Sequence, residues 1–258
     1  MSQRVCFIGD SHVAALRLAL MSEKFAARRG DVTIYGTIRS TLSGLTLREG
    51  KLTSDAEEVR EALRFTGGSE EIDLAAYDIF CVVACGTNFS PATMVTQGAT
   101  TYAFNLPDRQ FVSQQLLDAM AVSAYRQTVA YKIVDMLASA TNKPIFLMPD
   151  PLWAPSVLQR PRSALLRKVL KVVDRGVYAD WVSRILTTAF GPLATVLKQP
   201  ASTIDQGCFT RQEFAKGSIR LRQEVVEHGD SDFAHMNADY GAVVLDAFFE
   251  QIETAKAA

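Results

Sequence analysis

Four short β-rich runs, Arg4 to Ile8, Val32 to Tyr35, Ile79 to Cys85 and Pro144 to Met148, are apolar on both faces, and helical stretches separate them. A strand with one face in water alternates apolar and polar residues. A strand that dispenses with the alternation is buried on both sides, which parallel sheets achieve by laying crossover helices over each face. The expected class is therefore α/β with a parallel sheet. A first helix is expected to start near Ser11, to carry Val13, Leu16, Leu20 and Phe25 at helical spacing, and to stop by Gly30.

The rest of the chain is read more coarsely. Between Leu45 and Asp73 the pattern is mixed: Leu45 to Thr53 reads as a hairpin and Ala56 to Phe65 as a helix. Two longer helical regions follow, Arg109 to Ala140 and Arg162 to Leu197, the second with Leu166, Val169, Leu170 and Val173 on one stripe. A fifth strand is not evident, and Ala201 to Asp205 is its candidate. The stretch from Phe89 to Asp108 has the length of a lid or wall of a site. No repeat or Gly/Ser-rich linker divides the chain, so residues 1–258 are read as one domain.

Composition narrows the function classes. A chain of 258 residues, 48% hydrophobic, can bury a large core without disulfide or metal staples. With 27 Lys+Arg against 28 Asp+Glu there is no global field to favour nucleic acid or anionic lipid, so neither is an expected partner. No apolar stretch approaches the roughly 20 residues of a membrane span. Cys6, Cys81, Cys85 and Cys208 lack C-x-x-C spacing and read as buried thiols. The sequence runs from Met1 straight into Val5-Cys6-Phe7-Ile8, leaving no room for the charged and apolar segments of a signal peptide, and the expected location is the cytoplasm.

The most informative stretch is Phe7-Ile8-Gly9-Asp10-Ser11-His12, where an apolar strand ends in Gly-Asp and hands a serine to a helix start. Open parallel sheets bind ligands at this edge, and N–H groups at a helix start stabilise negative charge. That suits a nucleophile; the competing reading is a helix cap. A serine nucleophile requires a base, and the chain holds three histidines: His12, His228 and His235. His12 adjoins Ser11, and consecutive helical side chains diverge. His235 sits before an apolar C-terminal helix with Asp232 three residues earlier, a carboxylate able to fix the tautomer of the ring. Oxyanion donors have two candidate sources: the glycine of Ser43-Gly44-Leu45-Thr46, and Asn88 in Gly86-Thr87-Asn88 after the third strand. Gly36 is an alternative to Gly44. Trp153, in Pro149-Asp150-Pro151-Leu152-Trp153 after the fourth strand, either stacks on a sugar or packs against a helix.

Taken in order, Gly9-Asp10-Ser11, Ser43-Gly44-Leu45-Thr46, Gly86-Thr87-Asn88 and Asp232-x-x-His235 resemble the four sequence blocks of the SGNH/GDSL hydrolases. The resemblance implies a three-layer α/β/α sandwich with a central five-stranded parallel sheet, flavodoxin-like in layout, and an acyl-enzyme mechanism that uses no metal and no organic cofactor. It implies Ser11 as nucleophile, His235 as base and Asp232 as its orienting acid, with an oxyanion hole from the Ser11 and Gly44 N–H groups and the Asn88 amide. Three positions differ from the family's usual residues: His12 follows the nucleophile where leucine or isoleucine is common, Phe89 follows Asn88 in place of an aspartate, and Arg39 replaces an asparagine. His12, Arg39 and Trp153 are the candidate substrate-binding residues. The expected activity is a serine esterase removing a small acyl group, such as acetyl, from a carbohydrate or other polar metabolite. An O-acyltransferase and a non-catalytic glycan-binding or scaffold protein are the alternatives.

Overall fold

A computed structural model of the chain describes residues 3–37, 41–160, 163–221, 226–229 and 231–257, with side chains to 254. Five strands form one all-parallel sheet: β1 (Val5–Gly9), β2 (Val32–Gly36), β3 (Ile79–Val83), β4 (Ile145–Met148) and β5 (Thr195–Val196). Their order is β2-β1-β3-β4-β5. The register is continuous, Phe7 lying opposite Ile34 on one side and Cys81 on the other, while Val82 faces Leu147.

The apolar runs are apolar because both faces of the sheet are covered. Val5, Phe7, Cys81 and Phe146 point to one side, against α1 (Val13–Leu20) and α8 (Ala238–Ala257) through residues such as Leu16 and Phe248. Cys6, Ile8, Phe80, Val82 and Leu147 point to the other. There they meet α2 (Glu57–Gly67), α5 (Val129–Ala140) and α7 (Arg175–Phe190) through Leu63, Ile133 and Ile185. Each such side chain contributes about 1.5–3 kcal/mol by leaving water. The result is consistent with a three-layer α/β/α arrangement. No helix among the described residues is long and apolar enough to cross a membrane.

Several expectations are corrected. The fifth strand is Thr195–Val196, inside the stretch read as helical to Leu197, and it pairs with Phe146 and Leu147. Ala201–Thr203 is instead a 3-10 turn, and Ile204–Asp205 pairs antiparallel with Phe209–Thr210 outside the main sheet. The first helix ends at Leu20, before a 3-10 turn over Glu23–Arg28. The two long helical regions each divide where a capping side chain restarts the helix. Thr128 Oγ1 accepts the Tyr131 N–H between α4 (Gln114–Arg126) and α5, and Asp174 Oδ1 accepts the Val177 N–H between α6 (Ala164–Val172) and α7. Between Leu45 and Asp73 both readings hold, a hairpin of Thr46–Arg48 with Lys51–Thr53 and then α2. The Phe89–Asp108 stretch is packed down rather than lid-like. It opens with α3 (Ser90–Val95), and buried Phe104 sits edge-on to Trp181 of α7 at 5.0 Å.

Candidate active site

Ser11 stands at the C-terminal edge of the sheet, where β1 and β3 carry connections to opposite sides. Such a switch point leaves a crevice. A Cβ on Gly9 would lie 2.6 Å from both Val13 Cγ1 and the Val83 carbonyl oxygen, so only glycine lets the chain turn from β1 into α1 here. Asp10 steadies the turn: its Oδ1 accepts the His12 N–H at 3.1 Å and its Oδ2 the Cys85 N–H at 3.1 Å. One side chain thereby ties the end of β1 to the end of β3. Burial pushes the Asp10 carboxyl above its ordinary range, with His12 opposing and Asp150 adding to the shift.

His235 reaches Ser11 from the other end of the chain. Asn237 Oδ1 accepts the Tyr240 N–H at the start of α8, and its Nδ2 donates to the Glu213 and Lys216 carbonyls, which anchors the loop that carries the imidazole. His235 Nε2 lies 2.9 Å from Ser11 Oγ, and His235 Nδ1 lies 2.9 Å from Asp232 Oδ2. Asp232 Oδ1 accepts the N–H groups of Ala234 and His235, each at 2.8 Å. An ionised carboxylate only accepts, so Nδ1 of His235 carries the proton and Nε2 turns its lone pair to the serine hydroxyl. Burial works against ionisation of Asp232, but the bonds from the His235 ring and backbone and from Ala234 outweigh it and hold the carboxyl well below the usual range.

The end of β3 shapes the second half of the site. Ala84, Cys85 and Gly86 are all left-handed, with φ of 59°, 60° and 93°. For the two non-glycine residues this costs roughly 1–2 kcal/mol each. The turn is held by Ala84 N–H to the Met148 carbonyl (2.8 Å), by Cys85 N–H to Asp10, and by Thr87 N–H to Asp150 Oδ2 (2.7 Å). It delivers Asn88. Because Asn88 Oδ1 accepts the Ser90 N–H at 2.8 Å, the other end of the amide is the NH2 group, whose one hydrogen bond among the described residues is a long one to Asp150 Oδ1 at 3.4 Å. A donor is therefore on offer. Burial, followed by the Asp10 and Asp150 charges, pushes the nearby Cys85 thiol up, so it is no competing thiolate.

Two residues that the sequence reading left without a role belong to this constellation. Asp150, after β4, is buried, binds Thr87, and comes within 3.4 Å of His12 Nε2. His228 places Nδ1 3.0 Å from Asp232 Oδ2, and its ring stacks on that of His235 at 3.9 Å and 11°. His12 stacks on the same ring at 5.0 Å and 18°. All three histidines of the chain thus meet at Ser11. The signal for His228 was its spacing, four residues before Asp232.

The remaining candidates divide. Gly44 closes the 3-10 turn Thr41–Gly44 after β2, and a Cβ there would meet Ser54 Oγ at 3.3 Å. The N–H of Gly36 is already donated to Thr66 Oγ1 at 2.9 Å, which removes it as an oxyanion donor. Arg39 lies outside the described residues. Trp153 packs edge-on against Phe233, 5.6 Å away, rests on the core cluster that includes α7, and lines a cavity of about 190 Å³. Asn88, Asp150, Val182 and Leu186 share that cavity's wall, whereas Ser11 and His235 are not part of it. Two groups, His228/Asp232/His235 and Asp10/His12/Asp150, bring three possible ligand atoms within 4.8 Å of one another. In both, the carboxyl oxygens are already engaged by N–H and O–H donors, so hydrogen bonding explains the clusters without a cation.

A scan of the sequence against protein-family models finds no match, and a search of the curated proteins finds none.

Proposed function

We propose that the protein is a serine esterase of the SGNH/GDSL type, which hydrolyses a carboxylic ester through an acyl-enzyme. The observation that carries this reading is the line from Ser11 Oγ to His235 Nε2 and from His235 Nδ1 to Asp232 Oδ2, both links at 2.9 Å. In the proposed reaction Ser11 Oγ attacks the ester carbonyl carbon as its proton passes to His235 Nε2, and the imidazolium is stabilised by Asp232. The Asn88 amide and backbone N–H groups near Ser11 and Gly44 receive the oxyanion. The tetrahedral species collapses, the C–O bond to the alcohol breaks, and His235 returns the proton to the departing oxygen. Water then attacks the acyl-enzyme by the same route, releasing the acid and restoring Ser11.

For the substrate we propose a small acyl group, such as acetyl, on an oxygen of a carbohydrate or other polar metabolite. Support for the alcohol comes from the cavity beside Asn88, where the Trp153 indole offers a flat apolar wall next to the polar Asp150. The test is carboxylate release from chromogenic esters of increasing chain length and from acetylated sugars. Turnover that is fastest on short chains and abolished in Ser11→Ala supports the reading. Acyl transfer to an added sugar in place of hydrolysis points to an acyltransferase, and no reaction with any ester from folded protein points to a binding protein.

A further inference from the structure

Asn88 is carried by a strained turn, since Ala84 and Cys85, two of the three left-handed residues before Thr87, are not glycine. Such a turn keeps its shape only where its surroundings hold it. Asp150 faces it from the end of β4, the neighbouring strand, which the Ala84 N–H joins at the Met148 carbonyl. Pro149 and Pro151 flank Asp150: the first ring fixes a backbone angle on one side, and the second restricts Asp150 itself to extended backbone. The Asp150 side chain, 5% exposed on this stiff strand end, is a fixed point against which the turn can be set.

We propose that Asp150 is a positioning residue for the reaction: its carboxylate docks the Thr87–Asn88 segment and sets the plane of the Asn88 amide, so that one N–H is held and the other is presented to the oxyanion. The inference rests on the reading of Asn88 as an oxyanion donor. The docking is reciprocal. Asp150 Oδ2 accepts the Thr87 N–H at 2.7 Å and the Thr87 hydroxyl at 2.9 Å, while the Asp150 N–H donates back to Thr87 Oγ1 at 2.8 Å. The hydroxyl proton is shared with the Ala84 carbonyl at 3.1 Å. At Asn88 itself, the Tyr125 hydroxyl donates to the main-chain carbonyl and the Ser90 N–H to Oδ1, both at 2.8 Å. One bond at Oδ1 leaves the amide free to tilt. The Nδ2 contact to Asp150 Oδ1, at 3.4 Å, is the second point that defines its plane. An NH2 group has two N–H bonds, and the other one has no partner among the described residues. Its direction therefore depends on Asp150. A carboxylate offers an oxyanion no attraction of its own, so the role is placement and not charge.

Asp150→Asn separates the hold on Thr87 from the hold on Asn88. The amide oxygen of the variant keeps the Thr87 donors, and its NH2 group then faces that of Asn88, donor against donor. In the full-length protein, kcat is expected to fall about tenfold with little change in KM, a smaller loss than the roughly 10²- to 10³-fold of removing the donor outright. In an Asn88→Ala background the same substitution is expected to cost less than about twofold, because the group it positions is gone. An equal loss of kcat in both backgrounds overturns the proposal and leaves Asp150 as structural support. The NH2 group of Asn88 is also followed by NMR without substrate. One of its two protons is expected to be shifted downfield and slow to exchange in the wild type, and to lose both properties in Asp150→Asn. Signals that the substitution leaves unchanged overturn the proposal. Should the variant fail to fold, the wild type carries the test: two Asn88 protons that exchange equally fast overturn it. Because this readout needs no ester, an amide held in the wild type and released in the variant, in a protein that turns over no ester, keeps the placement and removes the esterase reading.

Discussion

Gly241 of α8 is pressed against the carbonyl of Ala15 in α1: a Cβ on the glycine would lie 2.1 Å from that oxygen. This contact lets the last helix dock beside the first, and His235 stands six residues before it on the loop that enters α8. The meeting of two sequence-distant groups, Ser11 and His235, thus depends on a hydrogen atom where every other residue has a side chain. Gly241→Ala gains helix propensity worth about 1 kcal/mol. Against this, α8 must move off α1, at about 1–3 kcal/mol of overpacking with a clash onto backbone that cannot swing away. The expected outcome is a melting temperature several degrees lower and a loss of activity larger than the loss of stability. An unchanged or raised melting temperature would mean the helices do not meet there.

Asp232→Asn isolates the tautomer. The single oxygen of the amide is claimed by the Ala234 and His235 N–H groups, which leaves NH2 facing the His235 ring. Nδ1 must then accept, Nε2 carries the proton, and the ring has no lone pair for the Ser11 hydroxyl. A swap of this kind in a serine triad costs about 10⁴-fold in kcat. A folded Asn variant with activity within tenfold of wild type would separate Asp232 from the chemistry.

Asn88→Ala removes an oxyanion donor and also the cap on the Ser90 N–H. The first effect is expected to reduce kcat by about 10²- to 10³-fold. The second costs stability of about 1 kcal/mol, too little to unfold the chain. Kinetics measured well below the melting temperature distinguish the two.

How much of this was legible in the sequence follows from where the signal lies. β1 to β4 were placed within a residue or two because burial on both faces leaves an unbroken apolar run. β5 was not, because Thr195 and Val196 are only two residues at the tail of a helical pattern, and their pairing with Phe146 and Leu147 is a tertiary event. Ser11, Asp232 and His235 were visible as residue types at strand and helix ends. His228 and Asp150 were not assigned, because what they do depends on which side chain each meets once the loops have folded back. The loss of Gly36 as a donor has the same origin: its N–H is taken by Thr66, 30 residues away.

The His228 environment also predicts a dependence of stability on pH. Its folded value, about 4, lies below the roughly 6.5 of a free histidine. Between those values the unfolded chain binds a proton that the folded protein does not, so this group's contribution to stability falls as pH falls from about 6.5 to 4. His228→Gln lacks that titration. The stability of wild type minus that of the variant, from denaturant unfolding at fixed pH, is expected to decline across the window and to be flat above pH 7. A difference that does not vary with pH would contradict the placement of a neutral His228.

The most direct measurement is the site of reaction with a fluorophosphonate, which phosphonylates only a serine activated by a neighbouring base. Peptide mass spectrometry of the folded wild-type protein is expected to find the adduct on Ser11, to find none in Ser11→Ala, and to find it formed far more slowly in His235→Ala. Folded wild-type protein that stays unlabelled, or that carries the adduct on a different residue, would contradict the assignment of Ser11 and His235 as nucleophile and base.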